Sequence, residues 1–86
     1  MKRAELLLTV SKIVEQDRQA THGRPEDSFT RIARLWSAYL DFEIQPHDVA
    51  APMALLKLAR IRENPAHDDN WIDLAGYAAC GAEVVG

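Results

Sequence analysis

Cysteine occurs once in this sequence, at Cys80, which excludes an internal disulfide and leaves too few thiols for a cysteine-based zinc site. Glycine and proline number four each, too few for a low-complexity chain, and the 48% apolar content is that of a folded one. Positive charge is also scarce. Ten Lys and Arg stand against 13 Asp and Glu, a formal net charge of -3, which speaks against the basic patch of a general nucleic-acid binder. No apolar run reaches the length of a membrane span. The opening "MKRAELLLTV" has two basic residues, but its apolar run is short and no small-residue cleavage site follows, so no secretory leader is expected. Alternating strand patterns and internal repeats are missing too. What remains is a single all-α domain over residues 1–86, expected in a reducing cytoplasm and away from membranes. Eighty-six residues bury only a modest fraction of their apolar surface, so a homo-oligomer is expected.

Periodicity places four helices in a compact bundle. The first, about Arg3 to Arg18, carries Leu6, Val10 and Ile13 on one seam, flanked by Leu7 and Val14 and continued by Asp17. The second opens in "GRPEDSF", where Pro25 suits a first helical position and Glu26 and Asp27 suit the positive end of the helix dipole. Its apolar face comprises Phe29, Ile32, Ala33, Trp36, Tyr39 and Leu40, with Arg31 and Arg34 on the other side. The third, roughly Pro46 to Arg62, is apolar around most of its circumference and is expected at the centre of the bundle. Pro52 within it predicts a bend or a late start. The fourth begins near Asp68, with Trp71, Ala75, Ala78, Ala82 and Val85 as its expected core seam, and its alanines and glycines permit close approach to a neighbour.

On that fourth helix Asp69, Asn70, Asp73 and Tyr77 fall within about a third of the circumference, away from the Trp71 seam and beside Gly76 and Cys80. Two readings stand side by side. Asp69 and Asp73, four apart, can share Mg²⁺, a hard cation that keeps waters and bridges phosphates, with Lys57 and Arg60 of the third helix facing those phosphates. Alternatively Lys57 and Arg60 pair with Asp69 and Asp73 across a helix interface, since buried charges are normally paired. Asp17 is open in the same way, as a turn carboxylate bonded to nearby backbone or as a third acidic ligand.

The other polar residues suggest less chemistry. His22, His47 and His67 share no metal-ligand spacing and read as loop or capping residues. Cys80 has no partner base in sequence and reads as a packing residue. Among the aromatics Trp36, Tyr39 and Trp71 lie on expected core seams, and Tyr77 is the best placed to touch a ligand.

Three blocks, "DRQATHGRPEDSFTRIARLWSAYL", "DVAAPMALLKLARI" and "HDDNWIDLAGYAACGAE", carry a resemblance over about Ile13 to Glu83. Together they resemble a small family of phage and prophage proteins of unassigned function. The last block is also distantly similar to MazG-like all-α nucleotide pyrophosphohydrolases and to nucleotide-modification-associated phage domains. Those enzymes hold Mg²⁺ on helix carboxylates, cleave nucleoside triphosphates between the α and β phosphates, and assemble as dimers or higher oligomers. Their second metal motif, Glu, two residues, Asp, corresponds here to Asn70 and Asp73. Their first has no counterpart, since the second helix offers Arg31 and Arg34 and the third Lys57 and Arg60.

The resemblance implies a nucleotide or nucleotide-derived ligand, bound by Lys57, Arg60, Asn70, Asp73 and Tyr77 and closed in by Asp17, Arg18, His22 and Gly23. Three functions follow as expectations: nucleotide binding, including sequestration of a nucleotide signal; Mg²⁺-dependent pyrophosphohydrolysis with an altered ligand set helped by Asp17, Glu26 or Asp48; and a protein-binding inhibitor of a host defence protein.

Overall fold

The computed structural model describes residues 1–17 and 24–85 and consists of α1 (Arg3–Lys12), a π-helical turn (Ile13–Asp17), α2 (Pro25–Leu40), α3 (His47–Glu63) and α4 (Asp68–Val85). No strand occurs among the described residues, and the all-α expectation is met.

Local chemistry accounts for the ends. Pro25 stands at the start of α2 with Glu26 and Asp27 in its first turn, where a fixed φ and negative charge both favour the helix. The helix stops at Asp41, whose φ of 52° is left-handed, a conformation Asp tolerates better than most residues. Ser37 pins the returning chain: its hydroxyl donates to the Ala33 carbonyl at 2.7 Å and accepts from the Ile44 amide at 2.8 Å. At the start of α3 the Asp48 carboxylate accepts from the Gln45 amide at 2.9 Å. The helix then runs unbroken through Pro52, so the late start does not occur. Residues 64–67 turn the chain into α4, and the Trp71 indole nitrogen donates to the Pro65 carbonyl at 2.9 Å.

The most extensive pairing is α3 on α4; α1 lies against α4, and α2 closes on α3 and, less extensively, on α4. Phe29 and Ala33 of α2, Val49 and Ala50 of α3 and Cys80 of α4 form the buried core. Val10 of α1 is buried, with Leu6 and Ile13 half-buried on the expected seam.

Three expectations are corrected. On α2, Phe29 and Ala33 are buried but Tyr39 and Leu40 are exposed, because the helix outruns the elements beneath it. On α3, Leu55, Leu56 and Leu58 are exposed, so within one chain this helix is not central. On α4 the faces are inverted. Trp71, Ala78, Ala82 and Val85 are exposed, whereas Asn70, Ile72, Gly76, Cys80 and Gly81 are buried. Close packing explains the inversion, since a Cβ at Gly81 would lie 2.8 Å from the Ala50 Cβ, a separation only glycine permits. Gly76 is buried too, yet a Cβ there would meet nothing within 4 Å. Gly76→Ala is therefore expected to stabilise the fold by about 1 kcal/mol through helix propensity, read as a higher urea midpoint with unchanged slope.

Candidate functional site

The inversion of α4 turns its polar stripe inward, toward α3. Lys57 comes from the side of α3 that also carries Ala50 and Ile61 and points across the interface. Its Nζ lies 2.9 Å from Asp73 Oδ2, with the side chains 16% and 34% exposed. Asn70, three residues before Asp73, is buried, and Tyr77, four after it, packs against the core. Lys57, Asn70, Asp73 and Tyr77 thus share one interhelical seam, and the ion-pair reading of Lys57 with Asp73 is what the geometry contains.

The other candidates are exposed or lie outside the described residues. Arg60 is exposed. Asp69 is 78% exposed at its side chain and has His67 Nε2 at 3.9 Å. Asp17 ends the π-helical turn; its side chain, like Arg18, His22 and Gly23, lies outside the described residues. His47 Nε2 sits 3.6 Å from Asp48 Oδ1, in keeping with a capping neighbourhood rather than a ligand set.

As arranged, the described members of this set do not fit a Mg²⁺ centre. An ammonium stands against Asp73 where a second cation would be repelled, and Asp69 is directed at His67. Of the other proposed helpers, Asp48 accepts from the Gln45 amide and Glu26 Oε2 lies 3.3 Å from Arg24 Nε. Among the described residues no three His, Cys, Asp or Glu side chains converge. The pair fixes α3 against α4 instead. Asp73→Ala would leave the Lys57 ammonium largely buried without its counter-charge. The expected loss is about 1–2 kcal/mol, between the value of a surface pair and the cost of breaking a buried one. Denaturant melts should show it, with recovery in Lys57→Met/Asp73→Leu, where neither charge remains.

Beside this seam α3 and α4 leave an apolar groove of about 270 Å³, lined by small residues that include Ala51, Ala54, Ala78 and Gly81, with Tyr77 at its wall. Sequence reasoning did not assign this groove, although the run of alanines and glycines on α4 was its signal.

The profile of a domain of unknown function, DUF6378, matches residues 5–85. The chain belongs to this family. Two curated relatives are phage proteins: the Gene 55 protein of Mycobacterium phage L5, 43% identical over 74 residues, 85% of this chain and 47% of that protein, and the Gene 55 protein of Mycobacterium phage D29, 39% identical over 75 residues, 87% of this chain and 50% of that protein. The chain spans about half the length of these relatives. No solved structure matches. The phage-family resemblance is met by these findings, while neither the family description nor the relatives' names mention a nucleotide, an enzyme or a partner. Among the described residues no helix is long and apolar enough to cross a membrane.

Proposed function

We propose that this DUF6378 chain is a protein-binding helical module of a phage-encoded protein, acting in the host cytoplasm by covering part of a host protein. The observation that carries this reading is the exit of α2, where Leu35, Tyr39, Leu40 and Phe42 are 66%, 88%, 55% and 71% exposed. Large apolar side chains gathered in so short a stretch mark a contact surface rather than ordinary surface scatter, and tyrosine is enriched at interface hot spots. Asp41 and Glu43 are exposed in the same stretch, so the fitting partner surface has an apolar centre and a basic rim. Inhibition of a host defence protein is one activity such a cover would produce. A photo-crosslinking residue at Tyr39, introduced in infected cells, should join the chain to one host protein. The purified pair should then form a complex that Tyr39→Ser abolishes without lowering the melting temperature. Adducts no stronger than those from the exposed polar site Arg31 would overturn the reading.

A second reading, nucleotide binding, draws on the α3–α4 seam. Lys57 of α3 offers positive charge, while Asn70 and Tyr77, about two turns apart on α4, offer a carboxamide and a stacking face, with Arg60, Asp17, Arg18 and His22 as the rest of the proposed set. The distant likeness to MazG-like enzymes points the same way, but among the described residues no Mg²⁺ centre supports the hydrolytic version. Native-state binding raises the melting temperature by mass action. A thermal-shift screen against nucleoside triphosphates, cyclic oligonucleotides and adenine dinucleotides should therefore give a shift that Lys57→Met removes. A flat screen excludes this second reading.

A further inference from the structure

We infer that the outward face of α3 is a two-fold interface with a second copy of this chain, the two α3 helices packing antiparallel about Leu55. This goes beyond the host-partner reading and uses a different surface from the α2 exit, so either can fail without the other.

An uncovered apolar row raises the need for such a partner. On α3 Leu55 and Leu58 are 64% and 47% exposed, and a helix face with large side chains left in water is what a second copy would bury.

The pattern on that face selects the partner and its direction. Helical spacing sets Asp48, Ala51, Leu55, Leu58 and Arg62 in a heptad-like row, on the side of α3 opposite the Lys57–Asp73 pair. The row carries an acid in the first turn and a base in the last. An antiparallel two-fold through Leu55 brings positions seven before and seven after into register, so Asp48 meets Arg62 of the second copy at both ends. Leu55 then packs on its own equivalent, and Leu58 falls beside Ala51 of the second copy, at the edge of the 270 Å³ groove that Ala51 lines. A large side chain thus meets a small one and a cleft. A parallel pair would place Asp48 against Asp48 and Arg62 against Arg62, with repulsion at both ends. Asp48 is accessible for this contact: its side chain is 47% exposed although it also accepts from the Gln45 amide.

Sedimentation equilibrium of the purified chain at micromolar concentration should give twice the monomer mass, and Leu55→Glu should halve it with the helical circular dichroism unchanged. Direction is tested independently in a Cys80→Ser background. Chains carrying Ala51→Cys, mixed with chains carrying Leu58→Cys, should form the mixed disulfide on oxidation, and Ala51→Cys chains alone should not. A wild-type monomer, a dimer that survives Leu55→Glu but is lost in Tyr39→Ser, or ready disulfide formation by Ala51→Cys alone would each overturn the assignment.

Discussion

Phe29→Ala is expected to leave a large fraction of the protein unfolded in the absence of denaturant. Phe29 is 7% exposed and, with Ala33, supplies the fully buried part of α2. Truncating a buried phenylalanine removes its transfer free energy and leaves a cavity, together about 3–5 kcal/mol. A small domain has a total stability of about the same size. Because α2 makes fewer contacts with α3 and α4 than those two make with each other, little else holds it in place. Urea unfolding followed by circular dichroism should show the loss of stability. Fluorescence should show Trp36, half-buried on the same helix, moving into water. Phe29→Leu, which keeps most of the volume, should cost no more than about 1.5 kcal/mol; equal damage from both variants would mean that ring shape, rather than buried volume, holds α2.

Gly81→Val is the second large effect, and it tests close packing rather than volume lost. The first atom of any side chain at position 81 would lie 2.8 Å from the Ala50 Cβ, well inside ordinary carbon–carbon contact. Neither partner can swing away, since both are Cβ atoms fixed to helical backbone. Overpacking of this kind costs about 1–3 kcal/mol and sometimes more, and the branched side chain should place valine at the upper end. The gain in helix propensity over glycine, well under about 1 kcal/mol for valine, cannot offset it. Gly81→Ala combined with Ala50→Gly relieves the clash, so the double variant should be more stable than the sum of the single effects predicts. Strict additivity would show that the two helices slide apart freely. Gly76→Ala on the same helix has the opposite expected sign, so the pair separates packing from propensity.

The helices were legible in the sequence because their signals are local. Pro25 with two acids after it, the "ENPAH" turn before Asp68 and the spacing of Leu6, Val10 and Ile13 each act within a few residues. Facing was harder. On α4 periodicity separates Trp71 and its alanines from Asp69, Asn70, Asp73 and Tyr77, but it does not say which side is inward. Polarity pointed to the wrong side because one polar group of the stripe has a charge partner on another helix. Lys57 satisfies Asp73, and only the folded chain brings them together. The same limit applies to the candidate site: Lys57, Asn70, Asp73 and Tyr77 do gather, while Asp69 and Arg60, grouped with them by spacing alone, are exposed. On α3 the all-round apolar character was legible; what one chain leaves uncovered was not.

The short connection between α3 and α4 bears on the order in which the chain can assemble. Four residues join these helices, and their pairing is the most extensive in the molecule, so an αα-hairpin can close with little loss of chain entropy and without help from the first half. α1 packs on α4 from the far end of the sequence, and that contact has the longest loop to close. The second half is thus fitted to act as a template on which the first half docks. In a nascent chain, α1 must wait for α4 to leave the ribosome before it finds its place.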